Sequence, residues 1–178
     1  MMKEHVNLTS KILFDKLKEL EGCRLEAYQD AAGTWTIGYG HTYGVKKGDK
    51  ISQWYAEENL RKDIEMAERQ VLALDVCEKQ AQLDALVCLV FNVGIGKLKS
   101  STLLTMIKAK WPKSVVMKEW KKWSYAGGKR LRGLERRRVW EANRFYDPSP
   151  TLAQVRERLQ NPLKNHDTEE DDFNDRPY

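Results

Sequence analysis

Glu21, Asp30 and Thr36 fall within one short stretch of the chain, and their settings differ. Glu21 precedes Gly22 at the expected end of a helix. Asp30 opens the turn Asp30-Ala31-Ala32-Gly33, and Thr36 lies across that turn in the run Thr36-Ile37-Gly38-Tyr39-Gly40-His41-Thr42. Two carboxyl groups in unlike environments can divide general acid and general base work on a glycosidic bond. The helix dipole and partial burial disfavour a second negative charge at Glu21, whereas a polar, glycine-containing turn suits a carboxylate at Asp30. Taken singly, each has a plainer reading. A Glu ending a helix is commonly a solvated surface group, and an Asp opening a turn serves the turn itself. Their pairing with Thr36 and a glycine-rich strand is what raises the catalytic reading.

The elements that must position these groups are legible from periodicity. Thr9 or Ser10 can cap a helix to about Glu21, with Leu13, Leu17 and Leu20 at helical spacing and Phe14 beside them. Gly22 suits the position after its last turn. Residues 24–40 alternate with period two about the Gly33 turn, which predicts a β-hairpin, and a third strand is expected near Lys50-Ile51. From Ser52 the period turns helical. A long helix to about Ala73 carries Leu60, Ile64, Ala67 and Val71 on one face. Glu78 to Asn92 is apolar nearly all round and reads as the buried central helix, ended by Gly94 and Gly96. Further helices are expected from Thr102 to about Ala109, near 114–123, and near 133–145. Pro148 and Pro150 break the chain before a short peripheral helix at 151–159. The arrangement is a small hairpin lobe beside a larger helical lobe, bridged by the long helix, with a cleft between them that would hold a ligand.

Composition narrows the classes. The 178 residues suit one domain or a two-lobed one, and 41% hydrophobic residues suffice for a core. A mean hydropathy of −0.68 and the lack of any apolar run near the roughly 20 residues of a membrane helix argue against a membrane-embedded protein. No secretory signal is evident, so synthesis in the cytoplasm is expected. Cys23, Cys77 and Cys88 are odd in number and widely spaced, which excludes a zinc pattern and predicts reduced, mostly buried thiols. Neither a metal nor an organic cofactor is implied. Residues 165–178 hold six acids and one base, so this tail carries −5 of the net +5 and leaves +10 on residues 1–164. Such a body favours an anionic partner. The basic run from Lys108 to Arg138, interleaved with Trp111, Trp120 and Trp123, could suggest nucleic acid. A solvated basic face is the preferred reading, and no nucleic-acid partner is expected.

Glu21-Gly22, Tyr28-Gln29-Asp30 and Thr36-Ile37-Gly38-Tyr39-Gly40-His41 together resemble the signature of the phage-type lysozymes, the endolysins of glycoside hydrolase family 24. The resemblance continues through Gln82–Leu86, Phe91-Asn92-Val93-Gly94 and Ser101–Leu104. Trp123–Lys129, Gly133-Leu134 and Arg136-Arg137-Arg138 look like the lambdoid-prophage branch. It covers about residues 10–147. It implies a mainly α, α+β lysozyme-like fold, with a lysozyme domain over 1–147 (small lobe about 22–52) and an extension over 148–178 ending in the acidic tail. It also implies a monomeric muramidase that cuts the β-1,4 bond between N-acetylmuramic acid and N-acetylglucosamine in cell-wall peptidoglycan. In that reading Glu21 is the acid, Asp30 activates or positions water, and Thr36 holds that water or supports Asp30. His41 is structural. Thr42, Phe91 and Thr102 line the saccharide cleft, with Gly127, Gly128 and Lys129 joining them. The resemblance favours inversion by water. A related branch cleaves the same bond without water, but the Asp30 and Thr36 pair argues for hydrolysis. A separate pore-forming (holin-like) or export factor would give access to the wall. The alternative is a non-catalytic peptidoglycan- or nucleic-acid-binding module on the same scaffold, which would have no need of the Glu21, Asp30 and Thr36 trio.

Overall fold

The computed structural model describes residues 7–161. The acidic tail and the first six residues lie outside that range. Helix α1 spans Lys11–Glu21. Ser10 caps it, its Oγ accepting from Leu13 N, and Gly22, at φ 64°, ends it with its N–H on Lys18 O. Leu13 and Leu17 have no exposed surface, and burying each stabilises the fold by about 1.5–3 kcal/mol. The N-terminal end of α1 is also tied down by charge. Asp84 accepts from Ser10 N at 2.8 Å and Ser10 Oγ at 2.6 Å, while Arg144 Nη2 reaches Asp84 Oδ2 at 2.7 Å. Just upstream, the N–H groups of Leu8 and Thr9 donate to the Glu68 carboxylate.

Strands β1 (Arg24–Gln29) and β2 (Trp35–Gly38) form the expected antiparallel hairpin, with Tyr28 opposite Thr36 and Gln29 opposite Trp35. The expected third strand is a single bridge between Glu26 and Lys50, extended by Ala27 N to Asp49 O and Ile51 N to Leu25 O at 2.9 Å each. The hairpin touches helix α2 (Gln53–Leu72) at Gly38, which sits at φ 64° and where a Cβ would lie 3.3 Å from the Ala56 Cβ, so glycine avoids both backbone strain and a tight contact. At 20 residues, α2 is about 30 Å long, enough to run from the hairpin into the helical body. Its Ala56, Leu60, Ile64, Ala67 and Val71 form the buried stripe.

Helix α3 (Gln80–Val93) is the central element. Leu83, Ala85, Leu86, Val87, Cys88 and Leu89 have no exposed surface. Gly94 ends it, but Gly96 falls inside a further short helix, α4 (Ile95–Lys99), which periodicity did not reveal. Then come α5 (Thr102–Lys108) and α6 (Lys113–Lys121), a 3-10 turn at Lys122–Ser124, a two-stranded ribbon of β3 (Tyr125–Ala126) and β4 (Lys129–Arg130), and α7 (Arg132–Phe145). Helix α8 (Leu152–Gln160) follows the prolines and is bound to the start of α3. Gln80 N donates to Pro150 O, and Leu152 N to Glu78 O, at 3.0 Å each. Its Leu152 and Val155 are part of the core.

Two expectations need correction. The basic run is not wholly a solvated face: Arg137 and Arg138 at its end are buried in α7, as is Arg144 beyond it, and Trp120 within the run is fully buried. These three guanidiniums face inward because buried carboxylates, Glu141 and Asp84, meet them. The thiols are free as expected but not mostly buried: Cys23 is exposed, Cys77 half-buried and Cys88 buried. Burial, then the Asp84 charge, pushes the Cys77 thiol up to about 12, and burial lifts Cys88 well above the usual thiol range. Thiolate is the reactive form. Iodoacetamide at pH 8 is therefore expected to add one label to the native protein, on Cys23, and three after denaturation. Peptide mass mapping reads the sites, and early labelling of Cys77 or Cys88 in the native protein would contradict the burial.

Candidate active site

Glu21 is the last residue of α1, with its side chain 22% exposed. Its Oε1 accepts from Arg137 Nη1 at 2.6 Å. Its Oε2 lies on the side of the small lobe: a Cβ built on Gly40, just beyond β2, would be 3.8 Å from it. The helix end and the hairpin thus meet at this carboxyl group. Arg137 sits 116 residues away in sequence and was not anticipated. This guanidinium faces Glu21 from the centre of α7, so the helix dipole is not the only charge acting on the carboxyl group.

Arg137 is itself held on all three nitrogens. Nη2 donates to Cys88 O at 2.9 Å, and Nε to Glu141 Oε1 at 3.3 Å. Burial works against its charge, but the neighbouring Cys88, Glu21 and Glu141 prevail and raise its pKa. Glu141 is fully buried, and burial raises its pKa against the pull of both arginines. A sequence signal for this cluster did exist. Arg137, Arg138, Glu141 and Arg144 recur at three- and four-residue spacing in a helix with too few apolar residues to cover a core-facing stripe.

Asp30 lies in the loop joining β1 to β2 and is exposed. Its Oδ1 accepts from Ala32 N at 2.9 Å and Thr34 N at 2.8 Å, while its backbone pairs with Thr34 O and Gly33 N at 3.0 Å each. Among the described residues no hydrogen bond falls on Oδ2. Thr36 is buried, and the one hydrogen bond from its Oγ1 among the described residues goes to Thr34 O at 3.0 Å. Its tie to Asp30 therefore runs through Thr34, which binds both. His41 bonds structurally, but not within the hairpin lobe alone as the resemblance implied: it reaches helix α2. Nδ1 is 2.8 Å from Asp63 Oδ2 on α2, and Nε2 is 3.1 Å from Tyr43 O.

A cavity of about 600 Å³ opens at Glu21, lined also by Lys16, Leu20, Asn92, Arg136, Arg137 and Trp140. A groove of about 250 Å³ runs between the loop at 40–43, α2 and the end of α3, and contains Thr42 and Phe91. Thr102 is an exposed first residue of α5, Gly127 and Gly128 form the ribbon turn, and Lys129 is exposed on β4. None of these four lines either hollow. Among the described residues no group of His, Cys, Asp and Glu could hold a metal ion, and no helix is long and apolar enough to cross a membrane.

The family model described as phage lysozyme matches residues 18–141. The endolysin of Acyrthosiphon pisum secondary endosymbiont phage 1 is 44% identical over 138 residues, covering 72% of this chain and 91% of that protein. The endolysin of Bacillus phage B103 is 42% identical over 135 residues, and the match spans only 50% of its length while covering 72% of this chain. Among solved structures, the muramidase domain of SpmX from Asticaccaulis excentricus superposes with a TM-score of 0.71. It is 30% identical, and the match covers 78% of this chain and 97% of that one.

Proposed function

The chain belongs to the phage lysozyme family, and we propose that within it Glu21 is the proton donor and Asp30 the residue that activates water. The protein is a peptidoglycan-lytic muramidase, a glycoside hydrolase acting on the cell wall. In the proposed step the glycosidic C–O bond breaks as Glu21 Oε2 delivers its proton to the departing oxygen. Water attacks the anomeric carbon from the opposite face and gives its proton to Asp30 Oδ2. One bond is exchanged for another, with inversion. The observation that carries this reading is the division of labour on Glu21: Oε1 is clamped by Arg137, while Oε2 faces Gly40 of the small lobe. Asp30 is suited to its part because two backbone N–H groups fix Oδ1 and with it the plane of the carboxylate.

Thr36 supports Asp30 through Thr34 in this proposal. Thr42 and Phe91 contact the saccharide in the groove, while Thr102, Gly127, Gly128 and Lys129 are reserved for the rim of a longer glycan. The proposed lysozyme domain is residues 1–147, to which α8 is fastened as an addition. No observation favours the non-catalytic binding module.

Digestion of purified peptidoglycan in heavy-oxygen water tests the chemistry. Each released reducing end is expected to carry one heavy oxygen, and the first-formed anomer, read by NMR, is expected to be inverted. Unlabelled anhydro-sugar ends would replace hydrolysis by an internal transfer. A retained anomer would move Asp30 from base to nucleophile.

A further inference from the structure

Glu141 has no exposed side-chain surface and lines neither hollow, yet its carboxylate accepts three hydrogen bonds. Its Oε1 accepts from Arg138 Nη2 at 2.9 Å and from Arg137 Nε at 3.3 Å, and its Oε2 accepts from Trp120 Nε1 at 2.9 Å. Two adjacent buried guanidiniums would repel one another in a poorly solvated interior, and a carboxylate between them lets both remain. We propose that Glu141 is a positioning residue for the acid. It sets the guanidinium of Arg137 against Glu21 Oε1, and it cancels one of the two buried positive charges behind that contact.

The geometry makes the coupling specific. Arg137 has three nitrogens and three acceptors, Glu21 Oε1, Cys88 O and Glu141 Oε1, so it cannot turn without losing at least one of them. Fixing Oε1 fixes the direction of Oε2. Arg138 reaches the same site by another route. Its Nη2 also donates to Asn92 Oδ1 at 3.0 Å, and Asn92 lines the cavity at Glu21. Its Nε and Nη1 are buried without a hydrogen-bond partner among the described residues, so Arg138 depends on Glu141 for most of its compensation. The titratable and charged groups facing Glu141 and Arg137 are Cys88 from α3, Arg138 on α7 itself and Glu21 at the end of α1. Helix α6 contributes the uncharged Trp120.

The inference rests on Glu21 being the acid, and paired variants separate the two claims. In Glu141→Gln the two guanidiniums face Glu21 without a counter-charge, which makes its proton easier to lose. The alkaline limb of the kcat profile is expected to move down by about one pH unit, with KM unchanged. In Arg138→Met one of those charges is gone and Glu141 balances Arg137 alone, so the same limb is expected to move up. This second variant keeps the test open if the first does not fold. In Arg138→Met the Glu141 carboxylate keeps Arg137 as its partner, so no buried ion is left without a counter-charge. Shifts of opposite sign are expected only from an electrostatic link, whereas a packing role would change melting temperature and leave both limbs in place. Unmoved limbs alongside an inactive Glu21→Gln would overturn the Glu141 inference alone. A fully active Glu21→Gln would remove the acid assignment and this inference with it.

Discussion

Glu21→Gln is expected to lower kcat by about 10³-fold, within the range a positioned general acid contributes, while KM changes little. The substitution keeps the shape of the side chain, and its amide oxygen can still accept from Arg137 Nη1. The pairing at 2.6 Å that seats the end of α1 therefore has a neutral replacement. What is lost is the proton. On its small-lobe side the carboxyl group meets Gly40, where a Cβ would lie 3.8 Å from Oε2, and glycine has no side chain to take over the delivery. Release of reducing ends from purified peptidoglycan measures the effect, and circular dichroism confirms that the variant is folded. Retention of even a tenth of wild-type turnover would end the case for Glu21 as the acid.

The contrast between Glu21 and Arg137 shows how far local sequence reaches. Glu21 was identifiable because its neighbours announce a helix end: Leu13 and Leu17 set the period, and Gly22 closes it. Asp30 was identifiable because turn chemistry is local, and its two backbone hydrogen bonds lie within four residues. Arg137 belongs to a different kind of fact. Its partner is 116 residues distant, and a count of positive charges cannot say which of them point inward. The same blindness affected Trp120, which reads as an aromatic in a basic surface stretch and is instead a fully buried hydrogen-bond donor to Glu141. The ribbon at Tyr125–Arg130 was missed for another reason. Gly127-Gly128 is a two-residue hairpin turn signal, but strands of two residues are too short to show alternation. Helix α4, with five residues, is likewise shorter than two helical turns, so no period can build up in it.

Because catalysis needs Glu21 at one end of α1, the other end of that helix is the place where stability and function meet. Asp84 has no exposed surface and serves three donors there: Ser10 N, Ser10 Oγ and the Arg144 guanidinium. Asp84→Asn keeps the volume and part of the hydrogen bonding but leaves Arg144 buried without its counter-charge. Removing one partner of a buried pair costs about 3–5 kcal/mol. For a domain of this size each kcal/mol lowers Tm by about 2–4 °C, so a fall of about 6–20 °C is expected by calorimetry. Arg144 also approaches Asp147 Oδ2 at 3.5 Å, but that carboxylate is half exposed and cannot replace a buried partner. The double variant Asp84→Leu with Arg144→Met removes both charges together and is expected to recover much of the loss, since it leaves no uncompensated ion. At 25 °C, where the single variant is still folded, kcat is expected to fall far less than in Glu21→Gln, because Arg137 continues to hold the catalytic end of the helix. An unchanged Tm in Asp84→Asn would mean that the Asp84 and Arg144 pair does not anchor α1. Loss of turnover as deep as that of Glu21→Gln would mean that the two ends of the helix are not independently held.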